Sequence, residues 1–202
     1  MNIHSGPDEP KTVYSEKRAE ILRAALELIA EHGFHGAPMS TIAVRAGVGA
    51  GTIYRYFENK DVLIKELFLE LHEKICAWSL KGYEADKPLR QRFLHFGTAL
   101  LRYFIANPRD FRYLEQYHNS PYGAEFRRDR ILGKEESGGL GRGLLEEGVA
   151  QQIVKDLPLA VLFSLAFGPL VMVARDHILG FVELDDFLIQ QTVQACWDGI
   201  KK

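Results

Sequence analysis

The chain has 202 residues, 47% of them apolar, enough for one ordinary globular body or for a small module joined to a larger one. A formal net charge of -2 speaks against a polycationic nucleic-acid coat, but not against contact with DNA through a small local patch. Two cysteines, Cys76 and Cys196, lie far apart and show neither metal-binding nor redox spacing, as expected of reduced thiols in a cytoplasmic protein.

The opening MNIHSGPDEPKTVYSEKR contains no apolar run of the kind a secretory signal needs, and residues 1–13 read as a disordered arm. A first helix is expected from Tyr14 or Ser15, with Ser15 as its N-cap. Ile21, Leu22, Ala25, Leu28 and Ile29 recur at helical spacing and form its apolar stripe. Gly33 suits the left-handed position after the helix, and Phe34 folds back as an apolar plug. Pro38 fits the first turn of a second helix, where its missing N–H costs nothing. Ile42 and Ala43 face inward, Gly47 closes that helix and Val48 packs the corner. A third helix is expected from about Ala50 to Phe57. Asn59 then caps a fourth, Lys60 to about Leu80, with Asp61 favourable at its positive end and Val62, Leu63, Leu67, Phe68 and Leu71 on its apolar side.

Beyond Gly82 aromatic density rises, and proline and glycine separate further helices. The expected spans are Leu89 to Ala106, Arg109 to about His118, Tyr122 to Leu132 and Leu144 to Ile153. Lys134 to Gly143 is glycine-rich and charged and reads as a flexible loop. A long apolar helix from about Leu157 to Leu179 carries Pro169 as a kink, and a last helix starts near Asp185, whose carboxylate can cap it. No strand-like alternation, repeat or low-complexity tract is present, so the fold class is all-α, with domains at 14–74 and 75–202.

Met39 to Lys60, MSTIAVRAGVGAGTIYRYFENK, is the segment with the clearest functional content. Two short helices around a glycine corner are too small to be a domain core, but they suit presentation of a helix end to the major groove of DNA. Gly49, Ala50 and Gly51 let the backbone approach closely. Thr52 offers a hydroxyl, Tyr54 and Tyr56 offer rings with hydroxyls, and Arg55 can pair with guanine or phosphate. Ile53 and Phe57 point back into the core. Lys60 can meet a phosphate. Arg45, Arg55 and Lys60 against Glu58 make the segment modestly basic.

AALELIAEHGF followed by IAVRAGVGAGTIYRYFENKDVL resembles the N-terminal domain of the TetR/AcrR family of bacterial transcriptional regulators, over about residues 14 to 74. The pattern is an alanine- and leucine-rich helix ending in G-F, then I-A, A-G-V, G-T-I-Y, Y-F and K-x-x-L. The resemblance implies a three-helix DNA-binding domain, a larger helical domain for ligand binding and dimerisation, and ligand-controlled repression. It places Thr52, Tyr54, Tyr56 and Lys60 where the family contacts DNA, and Gly51 and Arg55 at more variable positions that often help choose the operator. The family usually has Thr or Ser just before the second helix. Here Ala37 and Pro38 stand there, and Ser40 and Thr41 are the residues that could make that phosphate contact instead.

In the larger domain each aromatic side chain could fill the core or line a pocket. The expected effector-binding set is Phe96, Tyr103, Phe111, Glu115, His118, Tyr122, Phe163 and Phe167, for a small apolar or amphipathic molecule. A buried Glu115 would suit a cationic or hydrogen-bonding ligand, whereas an exposed one would suit nothing in particular. Glu115 to His118 spells E-x-x-H, but no second copy accompanies it, so no metal or other cofactor is expected. No nucleophile–base pair or phosphate loop suggests an enzyme. The uncharged stretch Leu157 to Ala174 has 18 residues, the lower limit for a membrane span. Gly168-Pro169 interrupts it and charged residues border both ends, so a helix shared between the subunits of a homodimer is the preferred reading. The expected whole is a homodimeric repressor on a palindromic double-stranded DNA operator. The alternative is a small-molecule-binding or scaffolding protein that no longer uses its helix-turn-helix.

Overall fold

Helical periodicity in the apolar residues becomes helix packing in the computed structural model, which describes residues 9–131 and 139–202. Ten helices form among the described residues: α1 (Glu9–His32), α2 (Met39–Arg45), α3 (Ala50–Ile53), α4 (Lys60–Ser79), α5 (Leu89–Ala106), α6 (Pro108–His118), α7 (Pro121–Ile131), α8 (Gly139–Ala150), α9 (Leu159–Ile178) and α10 (Asp186–Ile200). The only strand-like pairing among these residues is one isolated antiparallel bridge, Val154 to Lys201, which ties the end of α10 to the segment after α8.

Local chemistry sets most of the boundaries. Asn59 caps α4 by accepting the Val62 amide at 2.9 Å, and Asp185 caps α10 by accepting the Leu188 amide at 2.8 Å. Gly47 turns the chain after α2 at φ 65°, a left-handed geometry that costs glycine little. Three boundaries differ from expectation. The first is the start of α1, at Glu9 rather than Tyr14, so Ser15 lies inside the helix and does not cap it. Pro10 is tolerated in that first turn, where a missing N–H costs nothing, while residues 1–8 of the expected arm lie outside the described residues. The second is the end of α3, at Ile53 rather than Phe57. The amides of Arg55 and Tyr56 bond three residues back, to Thr52 and Ile53, and tighten the chain so that Phe57 can turn inward. The third is α8, which begins at Gly139. Residues 139–143 of the expected loop are therefore helical, and residues 134–138 lie outside the described residues.

Two packed regions result. In the smaller, Ile21, Ala25 and Ile29 of α1 meet Ile42, Ala43, Ile53 and Phe57, all fully buried. In the larger, α5, α9 and α10 pack against one another. Gly97 allows the approach of α5 to α10, since a Cβ there would lie 2.7 Å from Val193 Cγ1. Leu162, Ala166, Phe167, Leu170 and Ala174 bury one side of α9, a helix that is by length and composition apolar enough to cross a membrane.

α4 and α6 join the two regions. α6 lies along α1, and the Tyr113 hydroxyl donates to the Ile64 carbonyl at 2.6 Å. Phe34 sets its ring edge-on to Tyr113 and Tyr122 at 6.3 and 5.8 Å. The Tyr122 hydroxyl donates to Asp61 Oδ1 at 2.5 Å, and this bond pushes the phenol pKa up to about 12. Asp110, 5% exposed, accepts from the Tyr103 hydroxyl at 2.5 Å and pairs with Lys74 at 2.8 Å.

Arg92 of α5 grips Glu147 of α8 with both arms of its guanidinium, one bond measuring 2.9 Å. That contact holds the Glu147 carboxyl below the ordinary glutamate value of 4.5. A carboxylate depressed by folding stabilises the native state above its unfolded pKa, and loses that effect as pH falls through the lower folded value. Glu147→Gln is therefore expected to flatten the acid limb of a thermal-stability profile below about pH 4.5. Melting temperatures of both proteins between neutral pH and pH 3 check this. Parallel acid limbs would show that the pair does not contribute.

Candidate nucleic-acid interface

The reading unit is built from alternation on a very short helix. Gly49 precedes α3 with extended backbone, and the amides of Thr52 and Ile53 return to its carbonyl. Ile53 and Phe57 are fully buried, which leaves Ala50, Gly51, Tyr54 and Arg55 on the outside. Tyr54 is 55% exposed despite its aromatic ring. Arg55 is exposed and forms no ion pair with any described residue. Thr52 is half-buried, its Oγ1 3.3 Å from where a Cβ on Gly49 would lie, so glycine leaves the hydroxyl its space.

Tyr56 is half-buried and its ring stacks on Tyr14 of α1, with centroids 4.5 Å apart and planes at 26°. Sequence reasoning gave Tyr14 no role. The available signal was spacing: Tyr14 stands four residues before Arg18, on the same face of α1. Arg18 bonds Glu66 at 2.6 Å and lies over the Phe57 ring at 5.6 Å, so this face of α1 holds both the reading unit and α4.

The basic residues divide. Arg45 pairs with Glu27 of α1 at 3.1 Å, which draws its charge away from an outward role. The Lys60 ammonium is hydrogen-bonded to the Phe34 carbonyl, and burial lowers its pKa. In this conformation Lys60 ties α4 to the end of α1, where a phosphate contact was expected of it. Ser40 and Thr41 are exposed in the first turn of α2, whose N-cap, Pro38, offers no side-chain acceptor.

The eight residues expected to bind an effector separate into packed groups. Phe167 contacts Phe96 edge-on at 5.5 Å and Phe163 at 5.7 Å, and a Cβ on Gly141 would meet both Phe96 and Phe167. Tyr103 and Phe111 are buried on either side of Phe104. Glu115 is taken by Arg175 of α9, with Nε at 2.6 Å, so the carboxylate has its cation within the chain. His118 is exposed beside Phe68 at 5.8 Å, and Tyr122 is tied to Asp61. Three surface clefts of about 640, 340 and 210 Å³ open among the described residues, and none of the eight lines them.

An apolar surface remains on α9. Val161, Leu165, Met172 and Leu179 are 43%, 40%, 49% and 55% exposed, at spacings that keep them on one side of the helix. Phe181, just after α9, and Phe187, in the first turn of α10, are exposed as well.

Comparison with known proteins matches both regions. Residues 21–67 fit the description "Bacterial regulatory proteins, tetR family", and residues 88–201 fit "Tetracyclin repressor-like, C-terminal domain". An uncharacterized HTH-type transcriptional regulator of Haemophilus influenzae is 24% identical over 190 residues, 91% of this chain and 95% of its own length. The fatty acid metabolism regulator protein of Bacillus subtilis is 50% identical over 54 residues, 27% of this chain and 28% of its own. Among solved structures, a TetR family regulator from Vibrio parahaemolyticus superposes with a TM-score of 0.74 at 33% identity, covering 92% of this chain and 99% of that one. One from Marinobacter aquaeolei superposes with a TM-score of 0.81 at 23% identity, covering 95% of this chain and 98% of that one.

Proposed function

The chain belongs to the tetR family of bacterial regulatory proteins and is a DNA-binding transcriptional regulator, and from that premise we propose that it is a homodimeric, effector-released repressor. Two copies grip a palindromic operator, their reading units one helical turn or a multiple of it apart. The carrying observation is the outward face of α3, where Ala50, Gly51, Tyr54 and Arg55 stand clear of the core that Ile53 and Phe57 complete. Tyr54 and Arg55 reach base edges or phosphates, and Thr52 and Tyr56 supply hydroxyls. Ser40 and Thr41 stand by the same strand of DNA, and Lys60 joins them by leaving Phe34. The work of such a protein lies in the cytoplasm, with its DNA.

Release follows from the joints between the two regions. A small, mostly apolar effector among the C-terminal helices displaces α6 and α7, which hold α4 through Tyr113 and Ile64 and through Tyr122 and Asp61. A change at those contacts alters the spacing of the reading units, with a coupling of about 1–3 kcal/mol.

The test is a mobility shift on the DNA flanking the coding region, repeated at rising salt. A specific, salt-sensitive complex supports the reading. No complex even at low salt would leave a scaffolding or small-molecule-binding protein that has retired its helix-turn-helix.

Tyr56→Phe separates positioning from base reading. Loss of a hydroxyl bonded to phosphate is expected to weaken binding by about 1 kcal/mol, roughly fivefold, on operator and unrelated DNA alike. Parallel titrations of the two DNAs measure this. A loss confined to one base position would assign the hydroxyl to that base.

A further inference from the structure

The largest of the three clefts, about 640 Å³, lies where the end of α4 meets α5 and α10. Its apolar wall is Trp78, Leu94, Ala99 and Val193, and its cations are Lys81, Arg90 and Arg102. No carboxylate lines it. In a chain of net charge -2, three cations around one apolar recess are a local excess.

The three cations differ in what already holds them. Arg102 is paired with Asp186 at 2.7 Å, at the edge. Arg90 is steadied by the neutral Gln194 Oε1 at 2.5 Å, while Asp198 pairs directly with Lys201 at 2.6 Å and feels the Arg90 charge only at longer range. Lys81 lies over the Trp78 ring at 4.9 Å, with no ion pair to any described residue. A guanidinium and an ammonium without a direct carboxylate ion pair among the described residues thus share the recess with the Trp78 indole. His95 forms the wall between this cleft and the one of about 210 Å³, and its Nε2 is buried with no hydrogen-bond partner among the described residues.

We infer that this cleft binds a small amphipathic monoanion, an aromatic or short acyl carboxylate whose body rests on Trp78 and Leu94 and whose carboxylate meets Arg90 and Lys81. A planar carboxylate matches the fork of Arg90, and the recess has the size of a small-molecule site. None of the eight residues singled out from sequence lines this cleft, though the Tyr103 ring packs edge-on against Trp78 at 5.9 Å, so this is a neighbouring place that takes a charged ligand. Its consequence for DNA rests on the effector-release reading above. Trp78 and Lys81 stand at one end of α4, and Asn59 and Lys60 hold the other end beside the reading unit. A ligand drawing Trp78 and Lys81 towards α5 and α10 tilts that helix.

Calorimetric titration of the full chain with 2-naphthoate and with the neutral 2-naphthylmethanol tests the site without DNA. The naphthoate is expected to bind at least about tenfold more tightly than the alcohol. The double substitution Lys81→Gln, Arg90→Gln is expected to bring the acid down to the level of the alcohol. Ala99→Trp, which fills the recess from its wall, is expected to remove binding of both. Circular dichroism confirms that each variant is folded, and Lys81→Gln alone serves if the double variant is not. No naphthoate binding at millimolar concentration, or binding untouched by these substitutions, overturns the inference. Those results come from a chain whose operator complex is measured separately, so failure here is distinct from failure to bind DNA.

Discussion

Phe57→Ala is expected to remove operator binding altogether and to destabilise the small domain by about 3–5 kcal/mol. The ring is fully buried beneath α1 and α3, with the Arg18 guanidinium over its face at 5.6 Å. Truncation leaves a cavity in a region whose helices α2 and α3 span only seven and four residues. Helices so short have no stability of their own and depend on the packing beneath them. The small domain is therefore expected to melt ahead of the larger one, where the contacts among α5, α9 and α10 are untouched. Urea unfolding followed by circular dichroism, beside a DNA titration, reads both effects. Tyr54→Ala is the matched comparison: its ring is outside, so binding should fall with stability nearly unchanged. Full DNA affinity in the Phe57→Ala protein would mean that the reading unit does not depend on this core.

The double substitution Leu165→Glu, Met172→Glu is expected to yield monomers and to lower operator affinity about a hundredfold or more. Both side chains lie on the exposed side of α9, 40% and 49% accessible in the single chain, and Met172 Sδ accepts from Arg175 Nη1 at 3.4 Å, so a glutamate at 172 meets a cation of its own subunit. In the proposed dimer the same carboxylates would face an apolar surface across a twofold axis, where like charges and desolvation oppose association. Monomers lose the second reading unit and with it the gain from two linked contacts. Sedimentation equilibrium gives the mass, and a titration against the palindrome and its half-site gives the affinity. A dimer that survives the double substitution would move the interface off α9.

The residues differ in how readily they announced their roles. Asn59 and Asp185 act on amides three residues away, and both were legible as caps. Gly47 at a turn and Ile53 and Phe57 in the short reading unit are equally local, since spacing along the chain decides them. Lys60 was not legible in the same way. Its position at the start of α4 suggested phosphate, but the fold brings the Phe34 carbonyl within reach of the ammonium. Arg45 found Glu27 on another helix, and Glu115 found Arg175 sixty residues away. Tyr14 stands at the expected start of α1, and only a helix that already begins at Glu9 holds its ring stacked on Tyr56.

The sequence by itself determined the order of the helices, the caps at Asn59 and Asp185, the reading unit and the family, because each depends on residues close together in the chain. Only the tertiary structure decided which charges find partners within the chain, which aromatic rings fill the core and where a cleft opens beside Trp78 and Arg90. Those outcomes depend on which helices become neighbours. A long side chain such as Lys60 or Glu115 takes the partner that packing brings within hydrogen-bond reach, and spacing along the chain carries no record of that distance.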